Sequence, residues 1–145
     1  MKANLLDVSV LVALFWSSHA SHQKAQEWFE RHAGAGWATC PQTQASFVRI
    51  VSNPSFSKSS TTVQEATSLL AENLERPGHQ YWSADVDYFA AVKPFAERLV
   101  GHQQVSDAYL LGLAIHHGGS LVTMDRGILE LLPAKMQRRG LVTLL

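Results

Sequence analysis

Cysteine is nearly absent from this chain. One residue, Cys40, occurs in 145, so no internal disulfide framework is available, and a reducing compartment is the expectation. Charge is also sparse. Charged residues make up 17% of the chain, and Lys and Arg balance Asp and Glu at 12 each, for a formal net charge of zero. The chain as a whole is therefore no electrostatic magnet for nucleic acid, and any such binding needs a local patch. No apolar run is long enough to span a bilayer. Only Lys2 precedes an apolar stretch that Asp7 soon interrupts, so no signal peptide is expected and a cytoplasmic location is the default. No internal repeat or low-complexity tract is present. What is there is an ordinary globular composition, 46% apolar, in a length that suits one domain with a real core.

The apolar pattern alternates between short buried runs and amphipathic segments. Strand-like runs fall at Ala3–Leu6, Trp37–Cys40, His79–Trp82, Ser120–Thr123 and Leu141–Leu145. Between them the spacing predicts helices over Val8–Trp16 and over His19–Ala33, the latter capped by Ser17 or Ser18. Another helix opens at Pro41, where the first helical N–H has no partner to lose, and stops near Asn53-Pro54. A serine-rich loop over 52–62 leads to a helix capped by Thr61 or Thr62 that ends by Pro77-Gly78. A helix over Asp87–Leu99 should break or kink at Pro94, and Val105–His117 forms the last clear one, closed by Gly118-Gly119. Strands alternating with helices predict an α/β fold: a parallel sheet of four or five strands covered on both faces.

Three aspartates stand at junctions of this pattern. Asp7 ends the first strand, Asp125 ends the fourth, and Asp107 sits in the first turn of the last long helix. Parallel sheets bind ligands outside the carboxyl ends of their strands, so the three can converge there, joined by Gln44 from the first turn of the helix opened by Pro41. Lone carboxylates in apolar surroundings are costly, and a hard cation such as Mg²⁺ relieves their repulsion. Such a site can activate water and stabilise the leaving oxygen of a phosphodiester. Ser9 and Thr123 can support the carboxylates, and Arg126 can meet a phosphate. Each aspartate also has a plainer reading, Asp7 and Asp107 as helix caps and Asp125-Arg126-Gly127 as a turn. The seven histidines show no metal-ligand spacing, and Arg138-Arg139 is too short for a nucleic-acid patch.

Several longer segments carry a resemblance. Leu5-Leu6-Asp7-Val8-Ser9-Val10-Leu11, Phe47-Val48-Arg49-Ile50-Val51-Ser52-Asn53-Pro54, Gly101-His102-Gln103-Gln104-Val105-Ser106-Asp107-Ala108-Tyr109-Leu110 and Leu121-Val122-Thr123-Met124-Asp125-Arg126-Gly127 together resemble the PIN-domain ribonucleases, in particular the VapC toxins of bacterial toxin–antitoxin pairs. The resemblance implies a three-layer PIN-like fold, a single PIN domain over 1–145, and an Mg²⁺- or Mn²⁺-dependent endoribonuclease with Asp7, Asp107 and Asp125 as metal ligands. It further implies an RNA substrate of the tRNA or rRNA class, a homodimer, and a cognate VapB-like antitoxin, for which Phe15, Trp16 and Phe56 are candidate contacts. No membrane role is implied.

The family's fourth acid is a glutamate, and this chain has Gln44 there. The amide keeps shape and one oxygen but loses a charge. Three readings fit: a natural variant of reduced activity, a natural loss of catalysis, or an engineered inactivation. Glu65, Asp85 and Asp87 are possible substitutes, but their segments do not match the family's site. Other rim-aspartate enzymes fit less well. A haloacid-dehalogenase-like phosphatase needs an aspartate at position 9, which is Ser9. A receiver domain needs paired acids near the first strand and a late lysine, and neither is present. A catalytically inactive PIN domain that binds antitoxin or RNA is the competing function.

Overall fold

A computed structural model describes residues 2–145. Five strands form one parallel sheet: β1 (Asn4–Leu6), β2 (Trp37–Thr39), β3 (His79–Tyr81), β4 (Ser120–Thr123) and β5 (Val142–Leu144), in the order β3-β2-β1-β4-β5. The chain winds outward from β1 through β2 to β3, then returns to the other side of β1 for β4 and β5. The order reverses between β1 and β4, and that is where an open parallel sheet leaves a crevice at its carboxyl edge.

Side chains alternate across the sheet, so each strand feeds both faces. Leu6, Trp37 and Val122 point to one face, where they meet α1 (Val8–Phe15), α2 (His22–His32), α3 (Pro41–Val51) and α4 (Val63–Leu74). Leu5, Ala38 and Leu121 point to the other, where they meet α5 (Tyr88–Val92), α6 (Val105–His116) and α7 (Ala134–Gln137). The result is three layers, with α1 and α6 flanking the central strand. On the α5 face, Gly112 lets α6 approach α5 closely, since a Cβ there would collide with the backbone of Ala91.

The predicted elements shift in places for local reasons. The helix expected from His19 begins at His22, and neither Ser17 nor Ser18 caps it. Residues 16–21 form a turn instead, and the His22 ring bonds the Ala13 carbonyl at 2.9 Å, tying the start of α2 to α1. The helix expected over Asp87–Leu99 is α5 followed by a 3₁₀ segment, Lys93–Arg98. Pro94 lacks the N–H that an α-helix would need there. Thr62 caps α4 as expected, accepting from Glu65 N at 3.0 Å, while the Glu65 carboxylate accepts from Thr62 N at 3.1 Å. The segment after β4 folds into a 3₁₀ stretch, Arg126–Leu131, and the short α7, neither of which has a clear apolar period in the sequence. No helix among the described residues is long and apolar enough to cross a membrane.

Candidate active site

Asp7 leaves β1 with its own N–H bonded to the Val122 carbonyl of β4 at 2.9 Å. That bond lays the end of β1 against the end of β4. The Asp7 carboxylate then receives three donors: Val8 N at 2.7 Å on one oxygen, Thr123 Oγ1 at 2.7 Å and Ser9 Oγ at 3.2 Å on the other. The hydroxyls are themselves anchored. Thr123 Oγ1 accepts from Asp125 N at 3.1 Å, and Ser9 Oγ accepts from Met124 N at 3.2 Å. Asp7 is thus both the N-cap of α1 and the centre of a network joining β1 to the turn after β4. Its side chain is only 6% exposed, yet both carboxylate oxygens have donors.

Asp107 reaches the same rim from the first turn of α6. Its carboxyl is pushed up to about 7 by desolvation first, then by the negative charges of Asp7 and Asp125 and by a hydrogen bond to the Asp125 side chain. A helix N-terminus alone would pull it down, so burial and like charge outweigh the helix here. Asp125 caps the 3₁₀ stretch that follows it, accepting from Gly127 N at 2.9 Å. The three aspartates therefore sense one another across 118 residues of sequence, from Asp7 to Asp125.

Gln44 does not join them. Its Nε2 donates to Thr39 Oγ1 at 3.0 Å, and Thr39 Oγ1 pairs with His79 Nε2 at 2.8 Å. The face of α3 that does look toward Asp7 and Asp107 presents Gln42, Thr43, Ser46 and Arg49, which line a small cavity of about 150 Å³ together with Val8, Ser106 and Leu110. Gln44 lies on nearly the opposite side of α3 at 100° per residue. The substitute acids are also spent elsewhere: Glu65 in the α4 cap, Asp87 capping α5 through Ala90 N, and Asp85 between His116 and His117 at 3.3 and 3.2 Å.

A second, larger cavity of about 560 Å³ opens on the other side of Asp107. It is lined by the loop Val100–Gln104, Asp125, Gly127 and Glu130. Asp107 is the residue common to both cavities. Sequence reading missed Arg49, Ser46 and the Val100–Gln104 loop as parts of the site. Arg49 lies within the Phe47–Pro54 segment that carries the resemblance, but only the helical phase of α3 against Asp7 shows its direction. Arg126 is exposed and lines neither cavity. Of the proposed antitoxin contacts, Phe15 is core, packed edge-on against Trp37 and Phe47, whereas Trp16 and Phe56 form a half-buried pair at 5.2 Å.

The donors at this rim are oxygens, the set a hard divalent cation takes. Among the described residues no three His, Cys, Asp or Glu side chains already enclose a point for an ion. Mg²⁺ asks for less, since it binds through one or two carboxylates and keeps several waters. The mutual repulsion that raises Asp107 is the strain such a cation would remove.

A family model for the PIN domain matches residues 5–131, from the first strand to the 3₁₀ stretch beyond Asp125. The chain belongs to the PIN-domain family. Its VapC relatives cover nearly the whole chain: it is 42% identical over 127 residues to ribonuclease VapC38 of Mycobacterium tuberculosis, covering 88% of each chain. It is 40% identical over 126 residues to ribonuclease VapC39 of the same organism, covering 87% of this chain and 91% of the relative. The fold also matches a crystal structure of VapBC2 from Rickettsia felis bound to a promoter DNA fragment, with a TM-score of 0.59 and 16% identity over 90% of this chain and 93% of that one. At that identity the likeness speaks for the PIN fold alone. The three-layer parallel architecture is accordingly the PIN fold.

Proposed function

We propose that this VapC-type PIN domain, acting as one unit over residues 1–145, is a metal-dependent endoribonuclease that serves as the toxin of a toxin–antitoxin pair. The observation that carries this reading is the grouping of Asp7, Asp107 and Asp125 on the rim between β1 and β4, where burial first, and then the charges of Asp7 and Asp125, raise Asp107 to about 7. The relatives named ribonucleases share about two fifths of the sequence over almost the whole length.

Asp7, Asp107 and Asp125 are the residues that would hold Mg²⁺ or Mn²⁺. When bound, such an ion activates a water and neutralises charge that develops on the phosphodiester. Asp7 is held ready for this by Val8 N, Ser9 and Thr123, which fix its oxygens without reorganisation. Asp107 must release its proton to serve as a ligand. Through the Thr123 hydroxyl, the backbone of Asp125 is tied to the Asp7 carboxylate, so the two strand ends keep one spacing.

A VapB-like antitoxin is the proposed protein partner, with the Trp16–Phe56 pair as a candidate contact. RNA of the tRNA or rRNA class is the proposed substrate, and a homodimer the proposed assembly. A second reading has one specific observation in its favour. Gln44 stands where the family has a glutamate, and its amide is engaged with Thr39, so an inactive PIN domain that binds antitoxin or RNA competes with the enzyme. Incubation of the purified chain with total bacterial RNA, in Mn²⁺ and in EDTA, beside Asp7→Ala, tests the choice. Metal-dependent cutting that vanishes in Asp7→Ala supports the enzyme. Antitoxin binding with no cutting, in the chain as written, supports the binder.

A further inference from the structure

Asp107 stands between two cavities of opposite character. The smaller one holds Arg49 together with the hydroxyls of Ser46 and Ser106, while the buried Thr43 hydroxyl in its wall is spent on the Cys40 backbone. Among the described residues the ion pairs join only Asp85 to His116 and His117, so the Arg49 guanidinium is not spent on a carboxylate although Asp7 and Asp107 line the same space. An arginine and hydroxyl donors beside the reacting rim suit a phosphate oxygen. The larger cavity has Asp107, Asp125 and Glu130 in its walls and no lysine or arginine. It would repel a phosphate but accept a neutral heterocycle. Its polar groups are those that read a base edge: the Glu130 carboxylate accepts from amino and imino groups, the Gln103 amide donates and accepts, and the His102 ring offers a stacking face. The loop that carries His102 and Gln103 has a set shape, because Gln104 Oε1 accepts from both Val100 N at 2.9 Å and Gly101 N at 3.1 Å. Gln104 thereby shapes the loop and leaves Gln103 and His102 exposed for contact.

We propose that Asp107 divides a single-stranded RNA groove into two subsites, a phosphate seat at Arg49 and a nucleobase pocket formed by His102, Gln103 and Glu130. The proposal rests on the ribonuclease reading and adds the path and polarity of the strand across the site. One residue positions the backbone, and the other cavity sets base preference.

Binding without cleavage tests it. Fluorescein-labelled single-stranded RNA homopolymers are titrated in EDTA at several salt concentrations, with anisotropy as the readout. Arg49→Ala should weaken every homopolymer roughly tenfold and reduce the salt slope by about 0.7, the loss of one phosphate contact. Arg49→Lys should restore the slope. Gln103→Ala and Glu130→Gln should instead reorder the homopolymers by roughly fivefold or more while leaving the salt slope unchanged. Both exposed positions are tolerant of change, and a thermal melt confirms folding. If Arg49→Ala keeps the wild-type slope, or if neither pocket variant alters the ranking, the two-subsite assignment is wrong although RNA binding stands. If the wild-type chain binds none of the RNAs, the two subsites are wrong, whereas the ribonuclease reading fails separately, on absence of Mn²⁺-dependent cleavage.

Discussion

Asp7 and Asp107 face the same rim, yet the protein treats them in opposite ways. Asp7 is almost wholly buried and fully bonded, with a backbone N–H and two hydroxyls aimed at its oxygens. Asp107 is half-buried, and its one carboxyl partner is another acid; its proton is held up to about 7 by desolvation and by Asp7 and Asp125. One carboxylate is part of the framework, while the other is a strained group that waits for a positive charge. Burial alone does not decide what an acid costs. The donors around it do.

The comparison is broken most directly by removing each acid. Asp7→Ala should abolish RNA cleavage and also destabilise the fold by about 1–3 kcal/mol, because the Thr123 and Ser9 hydroxyls and the Val8 N–H lose their acceptor. Turnover and a thermal melt read the two effects. Asp107→Asn should abolish cleavage as well, but without metal at neutral pH its melting temperature should match or exceed that of the wild type. A clear loss of stability in Asp107→Asn would erase the distinction drawn between the two.

The pH dependence sharpens it. The folded chain holds the Asp107 proton up to about 7, whereas the unfolded chain releases it near the ordinary value of 3.8. Between those values the native state binds more protons, so stability from this group falls as pH rises from about 4 to about 7. Melting curves of the metal-free protein should show that decline, and Asp107→Asn should flatten it. Mn²⁺ added at pH 7.5, a condition chosen to lie just above the point where Asp107 ionises (about 7), should raise the melting temperature of the wild type and do so far less in Asp107→Asn.

The smallest effect is expected at Gln44. Its side chain is bonded to Thr39 and does not line the cavity that Asp7 and Asp107 share, so Gln44→Glu should change the cleavage rate by less than about tenfold, roughly 1.4 kcal/mol of barrier. A rise of several hundredfold in a cleavage assay would show that the side chain turns into the site and that the fourth acid was the missing part.

Much of the fold was legible because the apolar period changes cleanly between strand and helix. All five strands were placed within a residue or so, and Ser120–Thr123 without error. The misplacements have separate causes. The start of α2 depends on a contact between His22 and Ala13 that no local pattern announces. The stretch from Arg126 to Gln137 is too short in each piece to show a period. Asp7, Asp107 and Asp125 were visible as charges at element ends. Gln44 was placed beside them by its position in the first turn of α3 and by likeness of sequence, and the phase of α3 puts Arg49 and Ser46 toward the acids instead.

The sequence by itself determined the parallel α/β architecture, the positions of the aspartates at the ends of elements and the family to which they point, because periodicity and junction residues are local properties. Only the tertiary structure decided which carboxylate is quiet and which is strained, and which cavity holds an arginine beside its acids and which holds acids without one. Those properties depend on the Asp7–Val122 bond that lays β1 against β4, and on the turn of α3 and α6 toward that edge. They are set by distances between residues as many as 116 positions apart, and no local pattern in a chain encodes such a distance.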